Sequence, residues 1–516
     1  MSELKKVLAS EIEEFRQKGH QYVKGELSMM QFKHLSGGFG VYAHRGGQEF
    51  MIRLRIPSGI LSLDDLKKVY EFAIRYQMER IHLTTRQAIQ FHGLTIDEIC
   101  DLMAEALEQD IYTRGSGGNY PRNVAISPLS GVDPDEAFDV TPYALAVGNH
   151  FLQKIYTYHL PRKLKVSFSS SHADDAHCTV QDLGFLAVKK DGKDYFQVYI
   201  GGGLGQNARV ALKYEPLIDP KDVLYHIEAT VKLFMAEGDY ENRNRARIRY
   251  IVDRLGEEAF LKEYQKYLDE MKAIGGLDLE IKPHPIEKVG QVKPLSSSRL
   301  FNQKQEGLYS VYLHPVGGQL KVKDLKKIIE FLETIEAPDI RLAMSEGVYF
   351  RNLTGEEAEK MLALTEGMGG ETQLDESVSC IGAPTCQIGQ CNSQEALRCL
   401  IHYFDQYPEQ KAILPCVHFS GCVNSCGVHQ IGKIGFTGKK KKVEGTLQDC
   451  FTISLGGNFE VGNTQIGEPY GEIPAKRIPE FLEKLAHEIK QANLSFDDYL
   501  KMNEDNIKDL LNPYLV

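Results

Sequence analysis

DLKKVYEF at 65–72 and DLKKIIEF at 324–331 are one helix written twice, at an offset of 259 (65 to 324). The same offset carries Ile81-His82-Leu83 onto Ile340-Arg341-Leu342, Phe91 onto Phe350, and Leu94-Thr95 onto Leu353-Thr354. Upstream, FMIRLRIPSG (50–59) shares the pattern of LYSVYLHPVGG (308–318). Each copy reads as strand, turn, helix, strand, strand, because apolar residues alternate, then recur at helical spacing, then alternate again. Two amphipathic helices can match by chance. An offset held through the following strands points instead to one α+β unit occurring twice. The copies differ in chemistry: the first carries Arg53, Arg55, Thr84, Thr85 and Arg86, and the second has Ser345 at the Arg86 position. The first copy reads as functional and the second as structural.

Around this repeat lie 516 residues, enough for two to four domains. A formal net charge of −11 argues against a nucleic-acid-binding surface over the whole chain. The start, MSELKKVLASEIEEFRQKG, is charged and helix-forming, without the apolar core of a signal peptide. No uninterrupted apolar run reaches the ~18 residues of a membrane span. The expectation is a cytoplasmic protein that contacts neither nucleic acid nor membrane.

The ten cysteines are unevenly placed: Cys380, Cys386, Cys391, Cys399, Cys416, Cys422 and Cys426 crowd one stretch. Two local pairs stand out, Cys380-IGAPT-Cys386 and Cys422-VNS-Cys426. Four thiolates in two pairs suit zinc or an iron–sulfur cluster. Single cysteines are commonly buried as small apolar residues, but this density among Gly and Pro favours metal ligation. Zinc ribbons prefer two-residue spacers, which neither pair has.

C-x5-C followed by G-C-x-N-x-C resembles the siroheme/[4Fe–4S] motif of the sulfite and nitrite reductase family. FMIRLRIPSG, HLTTRQAIQFHGL, GGNYPRNV, LPRKLKVSF, GGGLG and NRNRARIRYIVDRLG resemble that family in the same order, over roughly residues 35 to 460. The resemblance implies an α+β fold in which duplicated ferredoxin-like half-domains join two further α+β siroheme/iron–sulfur domains about a pseudo-twofold. The expected boundaries are an N-terminal helical segment (1–44), the first half-domain (45–115), a siroheme-binding domain (116–300), the second half-domain (301–370) and a C-terminal iron–sulfur/siroheme domain (371–516). It also implies siroheme and a [4Fe–4S] cluster as cofactors. Cys380, Cys386, Cys422 and Cys426 would ligate the cluster, with Cys426 bridging to the siroheme iron. Cys391 and Cys399 would be structural. Val423 stands where the family usually has Pro, which removes no ligand.

By the same resemblance Arg53, Arg122, Lys163 and Lys165 would line the anion pocket and deliver protons, and Arg86 would hold siroheme carboxylates. A polycarboxylate and an anionic substrate need such cations in fixed positions. In Lys163-Leu164-Lys165 strand alternation turns both ammonium groups to one side. Sulfite reductases resemble this Lys-x-Lys, whereas nitrite reductases commonly carry Asn at the second position. Against this, His82 stands where sulfite reductases usually show Arg. The expected activity is six-electron reduction of sulfite to sulfide. One alternative is reduction of nitrite to ammonia by the same architecture, and another is a non-catalytic four-Cys metal protein.

Gly201-Gly202-Gly203-Leu204-Gly205 lacks the spacing of a dinucleotide loop and reads as backbone passing close to a macrocycle. With no flavin or nicotinamide motif, the expected electron donor is ferredoxin or another small protein, and Lys439 to Lys442 are a candidate docking patch for it. His429 is expected to pack rather than to ligate.

Overall fold

The structure, a computed structural model, describes residues 3–282 and 285–516. Among the described residues twenty strands form four five-stranded sheets. The first copy of the repeat supplies β1 (Val41–Ala43), β2 (Phe50–Leu54), β3 (Ile60–Leu61), β4 (Arg80–Leu83) and β5 (Ile89–Leu94). The segment that follows supplies β6 (Ala125–Ile126), β7 (Val166–Ser169), β8 (Leu183–Lys190), β9 (Lys193–Ile200) and β10 (Leu212–Ile218). The second copy gives β11 (Leu300–Asn302), β12 (Leu308–Leu313), β13 (Gln319–Lys321), β14 (Asp339–Leu342) and β15 (Val348–Thr354). The C-terminal part gives β16 (Val378–Ser379), β17 (Val417–Ser420), β18 (Ile434–Val443), β19 (Thr446–Leu455) and β20 (Glu468–Pro474).

The repeated units exchange strands. β13 of the second copy pairs antiparallel with β4 of the first, Gln319 opposite His82. β3 of the first copy pairs with β14 of the second, Leu61 opposite Ile340. Helices Leu63–Arg75 and Val322–Leu332 pack together, and both units share one hydrophobic core. Local chemistry repeats as well. Thr95 and Glu98 form a capping box at one helix start, and Thr354 and Glu357 form the same box 259 residues later. Such caps contribute about 1 kcal/mol each and fix where the helices begin. The N-terminal helix Glu3–Val23 lays Leu8, Ile12 and Phe15 on this shared core.

A second duplication appears in the other two sheets. β6 pairs parallel with β7, β7 parallel with β8, and β8 antiparallel with β9. β16 to β19 repeat these pairings in the same order. Cys380 N–H donates to Phe419 O at 3.1 Å as Ser127 N–H donates to Phe168 O at 3.1 Å. Each of these sheets has its own apolar core. The fold is therefore a pseudo-twofold α+β architecture in which the half-domain and the second sheet each occur twice.

Candidate functional site: a thiol cluster against a cationic cleft

β16 and β17 run parallel and end side by side, so the segments leaving their carboxyl ends meet, as ligand loops do in parallel sheets. Cys380 follows β16 directly, and Gly421-Cys422 follows β17. Gly421 N–H donates to Cys380 Sγ at 3.1 Å. Burial pushes the Cys380 thiol up to about 12, and the charges of Cys426 and Cys422 push in the same direction. Burial also raises Cys422, which feels Cys426 and Cys386, and raises Cys386, which feels Cys426. The four expected ligands thus share one electrostatic neighbourhood. Among the described residues no three Cys, His, Asp or Glu groups are close enough to hold a single metal ion. A cubane is larger than an ion and takes its thiolates farther apart than the ~3.8 Å edge implied by tetrahedral Zn–S bonds.

The other cysteines are built into the fold. Cys391 is buried and donates to the carbonyls of Lys439 and Cys450, at 3.4 Å each. Cys399 lies exposed on helix Ser393–Phe404, Cys100 is buried in the shared apolar core, and Cys178 is buried beside Asp174 and Ser169. His429 is buried, with burial lowering its imidazole to about 3.

Three parts of the chain lock the thiol loops in place. Thr85 Oγ1 donates to Cys426 O at 2.8 Å. Arg45 Nη2 donates to Gly389 O at 2.6 Å, beside a backbone bridge between His44 and Cys386. Gln430 clasps Gly205 with two 2.8 Å bonds, accepting from its N–H and donating to its carbonyl. The glycine run is needed where it stands: a Cβ on Gly202 would lie 2.7 Å from the main-chain oxygen of Gln181, and Gly205 has φ +114°.

Facing the thiols is a cationic cleft. Arg122 N–H donates to Leu164 O at 2.8 Å, which sets Arg122 beside the strand-like run that carries Lys163 and Lys165. A Cys426 thiolate would raise the affinity of both Lys163 and Lys165 for their protons, so the pair lies within electrostatic reach of the last thiol of the motif. Burial nevertheless drives the Lys165 ammonium down to about 7, with repulsion from Arg86 and Arg247, and drives Lys163 well below its ordinary value. Among the described residues neither ammonium has an ion-pair or hydrogen-bond partner.

The arginines are held largely by carbonyl groups. Arg86 donates to Asn123 O at 2.9 Å, Val166 O at 2.6 Å and Gln181 Oε1 at 3.2 Å; burial lowers it to about 9. Arg122 wraps the glycine turn, donating to Gly115 O at 3.4 Å, Gly118 O at 2.7 Å and Gly117 O; burial lowers it to about 10. Arg53 Nη1 donates to Ser116 O at 2.7 Å. The five expected cations therefore form one electrostatic group: Arg122 feels Arg53, Lys163 feels Lys165 and Arg122, and Arg86 acts on Lys165.

Arg55, named in the first copy of the repeat, joins them, as do Arg162, Arg247 and Arg249, which no motif singled out individually. Arg55 is 4% exposed and both its Nη atoms lack partners, as do Arg249 Nε and Nη1. Burial lowers Arg55 and Arg162 to about 10. The signal for Arg247 and Arg249 was the alternating run Arg243, Arg245, Arg247, Arg249. Within this set the one carboxylate that acts on several members is Asp182, which accepts from Arg247 Nε at 3.1 Å and Nη2 at 2.8 Å. Buried cations in such excess need anionic partners. A polycarboxylate macrocycle with an anionic ligand fits this cradle, and the thiols beside it fit a cluster.

The lysine run is different. Lys439 and Lys441 pair with Glu472 at 2.6 and 2.5 Å, and Lys440 pairs with Asp449. Most of its charge is thus neutralised within the sheet. Among the described residues no helix is long and apolar enough to cross a membrane.

The chain matches two domain models: the nitrite/sulfite reductase ferredoxin-like half domain at 42–109 and 301–367, and the nitrite and sulphite reductase 4Fe-4S domain at 117–272. It is 28% identical to the ferredoxin–nitrite reductase of Synechococcus elongatus, over 84% of this chain and 85% of that protein. It is 26% identical to the NADPH sulfite reductase hemoprotein beta-component of Anoxybacillus flavithermus, over 82% of this chain and 78% of that protein. The solved structure of Mycobacterium tuberculosis NirA protein shares the fold, with a TM-score of 0.80 at 20% identity over 93% of this chain and 92% of that one. The repeated half-domains, the thiol loops and the cationic cleft converge with these matches: the chain belongs to the nitrite and sulfite reductase family of oxidoreductases, whose cofactors are siroheme and a [4Fe–4S] cluster.

Proposed function

We propose that this enzyme reduces sulfite to sulfide by six electrons. The observation that carries the reading is the Lys163–Lys165 pair: two lysines one strand repeat apart, neither with an ion-pair or hydrogen-bond partner among the described residues, and both within electrostatic reach of Cys426. A dianion gains from two cations more than a monoanion does, since each Coulomb term scales with the charge. When bound, siroheme and the cluster supply the electron path and a Lewis-acidic iron. Arg53 and Arg122 orient the anion, Lys163 and Lys165 hold it and pass protons to oxygens leaving as water, and Arg86 with Arg55 and Arg249 takes macrocycle carboxylates. Cys380, Cys386, Cys422 and Cys426 would hold the cluster, and Cys426 would couple it to the siroheme. We assign these roles to the domains divided at 44, 115, 300 and 370, and ferredoxin or another small protein as donor. With Lys439 to Lys441 engaged in ion pairs, the lysine run is a weak docking patch.

A nitrite reading is favoured by the names of several relatives and by the buried His82, which stands where sulfite reductases usually show Arg. Lys165→Asn separates the two. On the sulfite reading it lowers kcat/KM for sulfite by at least tenfold and leaves that for nitrite within a few-fold. Equal losses on both anions would remove the dianion argument.

A further inference from the structure

Arg53, Gln90 and His82 stand side by side across β2, β5 and β4, since Gln90 is the register partner of both. Two residues along β5, on the same face, comes His92. The buried Gln90 amide satisfies both its neighbours in one orientation. Its carbonyl oxygen accepts from Arg53 Nε at 2.9 Å and Nη2 at 2.6 Å, while its NH2 donates to His92 Nε2 at 3.1 Å. The reverse orientation would set an amide nitrogen against a guanidinium, donor against donor. His92 accepts at Nε2 only with its proton on Nδ1, which lies 3.2 Å from His44 Nε2. His44 Nδ1 in turn lies 3.4 Å from Glu49 Oε2. Donors therefore all point from Arg53 toward Glu49.

We propose that Gln90 and His92 are positioning residues for the substrate anion, Gln90 gripping the Arg53 guanidinium and His92 keeping the Gln90 carbonyl turned toward it. This rests on the reading of Arg53 as an anion-binding residue. The device has a chemical logic. A carboxylate at position 90 would hold the guanidinium equally well but cancel its charge. A neutral amide fixes the geometry and leaves the full positive charge for the anion.

The test is a mutant cycle on the purified holoenzyme, reading siroheme content, the sulfite Kd from the ligand-induced absorption change, and kcat and KM. Q90L and H92F are expected to raise sulfite Kd and KM about tenfold, the scale of hydrogen bonds to a charged group, with siroheme content retained. Q90E is expected to raise them further. H92Q, which restores an acceptor, is expected to bind sulfite as the unaltered enzyme does. In an R53M background Q90L is expected to add nothing. If Q90L keeps its full factor in that background, or leaves Kd unchanged where R53M raises it, the positioning role is overturned. If R53M itself leaves Kd and KM unchanged, the reading of Arg53 falls, and this inference falls with it.

Discussion

The hydroxyl of Thr85 donates to the main-chain carbonyl of Cys426 at 2.8 Å, across 341 residues of sequence. Thr85 belongs to the first half-domain and Cys426 to the C-terminal sheet, so this bond ties the cationic half of the site to the thiol half. Thr85→Val keeps the shape and removes the donor, at a cost of ~1 kcal/mol in local order. We expect kcat to fall severalfold and the siroheme absorption bands to shift, with thermal unfolding within a few degrees of the unaltered enzyme. A spectrum and rate both unchanged would show that the tie is incidental.

The Asp182–Arg247 pair is the buried ionic joint of the cleft. Asp182 also accepts the Lys165 N–H at 2.8 Å, so it orients the lysine strand as well as the arginine. Removing it in Asp182→Ala strands a guanidinium that is 7% exposed, which costs about 3–5 kcal/mol. Denaturant unfolding of the variant should show that loss, and a loss below 1 kcal/mol would contradict a buried joint.

Cysteine substitutions should sort by place. Cys422→Ser and Cys426→Ser are expected to abolish labile sulfide and most iron in the purified protein. Cys391→Ser, whose thiol is bonded to the main-chain carbonyls of Lys439 and Cys450, should retain both. Iron and sulfide lost equally in all three would show that the motif does not distinguish ligands from core.

Acid should destabilise the middle domain through His226. Its Nδ1 lies 2.6 Å from Tyr264 Oη, and burial lowers its imidazole to about 3. The unfolded chain takes up a proton near pH 6.5 and the folded one does not, so this contribution is whole above 6.5. It falls by ~1.4 kcal/mol per pH unit down to about 3. His226→Gln should flatten the pH dependence of unfolding between pH 6 and 4; an unchanged slope would exclude His226 as its source.

The half-domain duplication was legible because both copies kept the helix DLKK and its flanking strands. The larger duplication was not, although Phe168-Ser169 and Gly184-Phe185 recur as Phe419-Ser420 and Gly435-Phe436 at an offset of 251 (168 to 419). Between these anchors function has driven the copies apart: Ser127, Ser171 and Asp175 occupy the places of Cys380, Cys422 and Cys426. Thiols come from one copy and lysines from the other, so neither half of the site looks like its counterpart. Motif spacing showed the four thiols and the strand alternation of Lys163 and Lys165. It could not show that Arg55 and Arg249 carry buried guanidinium nitrogens without partners, a property of packing rather than of pattern. Nor could a basic run reveal that Lys439 to Lys441 are matched by Glu472 and Asp449 on neighbouring strands.

The most direct measurement is kcat/KM of the siroheme-replete enzyme for sulfite and for nitrite, with one reduced dye at one pH. The account predicts siroheme absorption bands and a higher kcat/KM for sulfite. Siroheme bands with a higher kcat/KM for nitrite would contradict the substrate assignment, and a protein without siroheme from cells that make it would contradict the site itself.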